Sequence, residues 1–255
     1  MKTNQNTVQL LGFYGSDEVH AQSAWTSTSR KLTEEKISRV GKLLTQLAQD
    51  GHHTPFEKSS LHFLVTVDQA THIHLLKHRV GVSINGESAR YKELKEDKTY
   101  IPEDWLNIDV YGPDENFDSA MLKAESKLRD KFDHSLGILV DTSKADIGNN
   151  QSISYASVLS KFTELSNELY HAALQDLTPV LGRKRAKESA RFFKTMNSQI
   201  TMDVMFNWRS LAHFMKLRDS EHAQKEVREV AQQMLQLVKD IPGNPFEKTI
   251  VAFGF

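Results

Sequence analysis

No cysteine occurs anywhere in the 255 residues. Disulfides, Cys-ligated zinc, iron–sulfur clusters and a thiol nucleophile are excluded together. Whatever chemistry the chain performs, it forms no covalent Cys adduct. There is no apolar run near the ~20 residues needed to cross a bilayer, and the opening MKTNQNTVQL lacks the apolar core of a secretory signal. The expectation is a cytoplasmic protein with no membrane partner. An excess of one charge is also missing, with Lys+Arg 32 against Asp+Glu 33. That balance argues against a charge-driven nucleic-acid binder and confines any anion site to a local cluster. Common site signatures are absent too: no G-x-G-x-x-G after a strand, no Walker A sequence, no G-x-S-x-G and no H-E-x-x-H. A nucleotide cofactor would have to be held by a non-Rossmann scheme. Neither an internal repeat nor a low-complexity tract is found.

The hydrophobic share of 39% is enough for a sizeable core. The length suits one large domain or two small ones, and the pattern favours one domain over 1–255. Residues 8–13 read as a short strand. Thr33 reads as an N-cap, followed by Ile37, Val40, Leu44 and Leu47 at helical spacing and by Gly51 as the stop. Leu61, Phe63, Val65 and Val67 alternate as a strand, as do Ile200, Met202, Val204 and Phe206. Asp68 can cap a helix burying Ala70, Ile73 and Leu76. Residues 77–91 read as irregular, 92–116 as a charged loop, 117–132 as a helix and 141–150 as a polar loop. Helical patterns cover 152–176, 183–195 and 207–217, the last with Trp208, Leu211 and Met215 inward. Asp219 or Ser220 then caps a last long helix carrying Val227, Val230, Met234 and Leu237. The fold class is α+β, a mixed α/β chain in which strands and helices interleave and long helices dominate.

Three groups could carry chemistry. Residues 77–92 hold Lys77, Arg79, Arg90 and Lys92 against Glu87, with Ser83, Asn85, Ser88 and two glycines. Guanidinium groups beside glycine backbone suit a phosphate; the competing reading is a solvated basic loop. The second group is Asn207, Arg209, His213, Arg218 and His222. Arg209 and His213 share a helix face, whereas Arg218 falls about 180° from Arg209. Either the helix ends near Leu217 or these residues serve two ligands; the competing reading is a charged outer face. The third group is residues 51–57, GHHTPFE. His74 and His78, four apart, could chelate a metal, but no carboxylate partner stands near them in sequence, and no metal is expected.

In this order the three groups resemble the flavin-dependent thymidylate synthases. That family carries Arg-His-Arg, two residues, then Ser-x-Asn-Glu-x-Ser-x-Arg-Tyr; here stand Lys77-His78-Arg79, Ser83-x-Asn85 and Ser88-x-Arg90-Tyr91. The upstream Gly-His-x-Thr-Pro-Phe-Glu box fits residues 51–57. The downstream Asn-x-Arg-Ser-Leu, Leu-Arg and His-Ala-Gln fit residues 207–211, 217–218 and 222–224. Departures are Lys77 for the first Arg, an extra residue between Arg79 and Ser83, Gly86 where the family has Glu, and His74 for the usual Gln. A Lys holds phosphate as a point charge but makes no bidentate fork.

The resemblance implies a central, mainly antiparallel sheet flanked by long helices, and a homotetramer, with sites shared between subunits, that methylates dUMP to dTMP. Methylenetetrahydrofolate would be the carbon donor, and FAD reduced by NADPH the hydride source. It assigns Arg218 to activation of the pyrimidine ring. His74, Lys77, Glu87, Ser88, Arg90, Arg191 and Arg218 are assigned to dUMP. His52, Thr54, Lys77, His78, Arg79, Ser83, Asn207, Arg209, His213 and His222 are assigned to FAD. The competing classes are a catalytically inactive nucleotide- or flavin-binding paralogue and a metal-dependent nucleotide hydrolase using His52, His53, His74 and His78. The missing His-Asp dipeptide counts against the hydrolase.

Overall fold

The computed structural model describes residues 5–108 and 154–255. The expected helix at 117–132 and the loop at 141–150 lie outside the described residues. In chain order the helices are α1 (Asp17–Trp25), α2 (Glu34–Gln49), α3 (Gln69–Leu76), α4 (Tyr155–Leu181), α5 (Arg183–Ala190), α6 (Trp208–Arg218), α7 (Lys225–Lys239) and α8 (Glu247–Phe253). The strands are β1 (Thr7–Tyr14), β2 (Ser60–Asp68), β3 (Val82–Gly86) and β4 (Gln199–Phe206). By their internal packing the described residues fall into two compact units: 6–87 with 199–255, and 5, 88–108 and 154–198.

The first unit holds the whole sheet, antiparallel throughout in the order β1-β2-β4-β3. Alternation makes it amphipathic. Leu61 pairs with Phe206, Phe63 with Val204 and Val65 with Met202 across β2 and β4, and all six are fully or almost fully buried. Each such side chain contributes about 1.5–3 kcal/mol through burial. Against this face pack Val40 and Leu44 of α2, Trp208, Leu211 and Met215 of α6, and Val227, Val230 and Met234 of α7.

The caps follow local chemistry. Thr33 accepts from Lys36 N at the start of α2, and Gly51 adopts φ +74° beyond its end. Asp68 accepts from Thr71 N at 2.8 Å. The buried face of α3 is not the expected one, however: Thr71 and Leu75 are inward while Ile73 and Leu76 are exposed. Asn6 donates to the Asp68 carboxylate and accepts from Asp68 N, and α3 packs on α7. Tertiary anchoring at its first residue sets the roll of a two-turn helix.

Two further expectations are corrected. Residues 77–91 are not irregular throughout: Val82–Gly86 is the edge strand β3, paired with β4. The last long helix does not start from a cap at Asp219 or Ser220. Asp219 N closes α6 on Met215 O, Ala223 N bonds Ser220 O in a turn, and α7 begins at Lys225. Sequence periodicity did not reveal α1 or α8. The carboxylate of Asp17 accepts from Lys248 N and Thr249 N at 2.8 Å each, tying the two together.

In the second unit α4 runs 27 residues, past the expected end at 176, with Pro179 in its last turn. Gly182 at φ +76° turns the chain into α5, and a short 3-10 turn, Arg191–Phe193, follows. Tyr170, Leu174, Ala186 and Ala190 form its small core. Lys194 bonds both Asp97 and Asn167, and its ammonium lies over the Tyr170 ring. A one-turn 3-10 helix, Glu103–Trp105, interrupts the loop expected over 92–116.

Candidate functional site

The site is built on α6. Asn207 is its N-cap, the side-chain oxygen accepting from Ser210 N at 2.9 Å. Trp208, Leu211 and Met215, each about 1% exposed, fix the inner face. That leaves Arg209, His213 and Lys216 as an outward stripe, four and seven residues apart on one side. The stripe lines a cavity of about 570 Å³ together with Asn207, Ser210, Val80 and Gly81 and, from other elements, His53, Glu57 and Phe253. This is the size range of small-molecule and cofactor sites.

Within it Arg209 Nη1 meets Glu57 Oε1 at 2.5 Å, and Lys216 Nζ lies 5.6 Å from the Phe253 ring centre. Gly81, at φ +68°, carries bare backbone against α6. A Cβ there would meet Asn207 Nδ2 at 2.8 Å and Ser210 Oγ at 3.2 Å. Ser210 Oγ donates to Gly81 O at 2.8 Å, locking the turn before β3 to the helix. Cations in a row, amide and hydroxyl donors, and an aromatic wall suit an anionic ligand that carries a planar ring, such as a flavin dinucleotide. These residues therefore fit that group.

The opposite face of α6 holds a second arrangement. The helix does continue to Arg218, so Arg218 stands about 180° from Arg209. Arg218 Nε donates to His78 Nε2 at 2.9 Å. The His78 ring is edge-on to Phe214, centroids 4.9 Å apart. Burial, then the charges of Arg218, His213 and His74, lower its pKa to about 4. His78 is therefore neutral near pH 7, with its proton on Nδ1 and its Nε2 lone pair given to Arg218. Among the described residues the terminal nitrogens of Arg218 bond nothing, so its paired donors are left for a ligand.

The structure thus brings Asn207, Arg209 and His213 together at the cavity, and His74, His78 and Arg218 around one cluster. His52, Thr54, Lys77, Arg79, Ser83 and His222 are not among the cavity's lining residues. His52 ends α2, its N–H bonding Leu47 O, and Thr54 opens the turn that carries Glu57. Lys77 is the C-cap of α3, Arg79 is exposed, Ser83 stands opposite Met205 on β3, and His222 lies in the exposed turn before α7. Glu87 closes the sheet edge: its N–H bonds Thr201 O, and its carboxylate accepts from Thr201 N at 3.0 Å. In the second unit Ser88 accepts from Tyr91 N and Lys92 N, Arg90 pairs with Glu188 at 3.0 Å, and Arg191 is exposed at the end of α5. Sequence reasoning left Glu57, Lys216 and Phe253 unassigned and gave His53 a role only in the competing metal-hydrolase reading. Lys216 was findable, three residues after His213 on one face; Phe253 carries no sequence signal.

A family model described as thymidylate synthase complementing protein matches residues 9–242. The chain belongs to that family. The flavin-dependent thymidylate synthase of Ehrlichia ruminantium (strain Gardel) is 25% identical over 232 residues, 91% of this chain and 66% of that protein. The one from Thermosipho africanus is 27% identical over 234 residues, covering 91% and 86%. The chain thus spans just under two thirds of the first of these relatives. Among solved structures, a UMP/dUMP methylase, PolB from Streptomyces cacaoi bound with 5-Br dUMP, has the same fold. The TM-score is 0.65 at 24% identity, covering 100% of this chain and 98% of that one.

Proposed function

We propose that this chain is a flavin-dependent thymidylate synthase that methylates dUMP to dTMP. FAD sits in the α6 cavity, methylenetetrahydrofolate gives the carbon and NADPH reduces the flavin. The observation that carries the reading is the Arg218–His78 pair behind the cavity. With no cysteine to add to the pyrimidine, the ring must be activated electrostatically. A guanidinium held by a neutral imidazole is a preorganised donor for the negative charge that develops on N3 and its neighbouring carbonyl. Reduced flavin supplies the hydride when bound. The residues around it supply position: Arg209, His213 and Asn207 hold the dinucleotide, and His74 lies beside Arg218's partner. Ser88, Arg90 and Arg191 keep their assignment to dUMP. Relatives named as flavin-dependent thymidylate synthases, and a methylase of the same fold bound with 5-Br dUMP, support the reading and do not favour an inactive paralogue. Exposed Ile73, Leu76 and Val80 support subunit association, a homotetramer in this reading, to be checked by light scattering.

The test is a visible spectrum followed by tritium release. Purified protein is expected to be yellow or to take up FAD. It should then release tritium from 5-labelled dUMP only when folate donor and NADPH are both present, with UMP assayed alongside. A colourless protein that takes up no FAD overturns the flavin assignment; flavin binding without tritium release leaves the inactive paralogue standing.

A further inference from the structure

Lys216 is the cavity cation that no motif accounts for. It lies seven residues from Arg209, ~10 Å along the axis of α6, so one phosphate cannot occupy both. The two cations also differ in their surroundings. The charge of Arg209 is met by Glu57, while among the described residues no carboxylate meets Lys216. What holds Lys216 is the ring of Phe253. A ring face attracts the ammonium without consuming a hydrogen-bond donor, so its N–H groups stay free for oxygen.

Phe253 is itself fixed. It is edge-on to Phe56 at 4.8 Å and to Trp208 at 6.2 Å, and His53 leans on it at 5.4 Å. Its helix, α8, is pinned at its first turn by Asp17. That helix lies beyond the 9–242 covered by the family match.

We propose that Lys216, set in place by α8, binds the diphosphate of the dinucleotide in this cavity. The inference rests on the flavin reading above and extends it by one binding residue and one helix. The ammonium provides the point charge, with His213 one turn back and His53 across the cavity. Glu57 adds no net repulsion because Arg209 neutralises it.

The experiment measures the Kd of FAD for the wild-type holoenzyme stripped of flavin, Lys216→Gln and Lys216→Arg, each at low and at physiological salt. Lys216 is exposed, so neither variant threatens the fold. Lys216→Gln should weaken FAD about tenfold, the scale of one lost charge-assisted hydrogen bond. It should also flatten the salt dependence, while Lys216→Arg stays close to wild type. NADP+ and dUMP, titrated in parallel, should bind all three proteins alike. Unchanged FAD affinity with an unchanged salt slope overturns the proposal. So does a loss confined to NADP+ or dUMP, which would give the phosphate to another ligand. A Phe253→Leu variant with wild-type melting temperature and wild-type FAD affinity would overturn the part given to α8. If the wild type binds no FAD, the flavin reading fails on its own. Inorganic pyrophosphate then decides for Lys216: binding lost in Lys216→Gln sustains it as a diphosphate site, and no binding rejects it.

Discussion

His20 and His78 both have pKa values lowered to about 4, yet their surroundings share almost nothing. His20 is fully buried, between Phe56 at 5.3 Å and Phe246 at 5.9 Å, and burial alone lowers it. Thr249 donates its hydroxyl to Asp17 at 2.6 Å, so Thr249 Oγ1 accepts from His20 Nδ1 at 3.1 Å. Among the described residues the other nitrogen, Nε2, is buried without a partner. His78 is half-buried among cations and gives its lone pair to Arg218. The same shift therefore marks two different things. In the core it is the cost of burying an imidazole that stitches α1 to α8; at the α6 face it keeps an acceptor ready for a guanidinium.

Four predictions press on that contrast. The largest effect belongs to Arg218→Ala, which removes the group that His78 serves. Turnover measured by tritium release should fall by about 10²–10³, the loss of one transition-state donor, while flavin absorbance of the purified protein is retained. Near-normal dTMP formation would detach the His78 cluster from the chemistry.

Next comes acid stability. The folded pKa of His20 lies below the unfolded 6.5, so its contribution is complete above pH 6.5 and is lost as pH falls toward 4. Over that window denaturant midpoints should drop by the equivalent of about 3 kcal/mol. His20→Leu should flatten the slope. Asp17, raised by burial, works in the opposite sense at the acid end, so the wild-type-minus-variant difference is the quantity to read. A slope unchanged by His20→Leu would move the cause to His72 or His78, whose values are also lowered.

His78→Phe should then lower kcat about tenfold to a hundredfold, as expected for a lost hydrogen bond to a charged group. His78→Asn, which keeps an acceptor, should recover most of it. Equal losses in both variants would mean that the ring, rather than its lone pair, is what matters. The smallest effect is expected for Lys77→Arg, within about twofold in dUMP affinity, because Lys77 is an exposed C-cap. A dead enzyme would place this side chain in a role that its position at the end of α3 does not suggest.

Much of the fold was legible. β2 and β4 announced themselves through alternation, and α2 and α6 through helical spacing, α2 with a capping Thr33 as well; each of these signals is local. The edge strand β3 was not legible, because Val82 and Ile84 are too few to establish a period and Gly81 and Gly86 flank them like loop residues. α1 and α8 were hidden for a related reason. They are short, and what stabilises them is long-range: the Asp17 carboxylate reaching Lys248 N and Thr249 N, and Trp208 stacked on Phe246 at 5.6 Å. The roll of α3 was misread because Asn6, distant in sequence, holds its cap.

By itself the sequence determined the α+β class, the exclusion of thiol chemistry and the three groups of polar residues that the family shares. All of these follow from residue type and short-range period. Only the tertiary structure decided which of those residues meet. Continuity of α6 through Arg218 placed Arg209 and Arg218 on opposite faces of one helix. Chain folding brought His78 to Arg218, with its ring also beside His213, and Glu57 and Phe253 to the cavity. Whether a cation is neutralised, held over a ring or aimed by a neutral imidazole depends on neighbours far away in the chain. Spacing along a sequence carries no record of them.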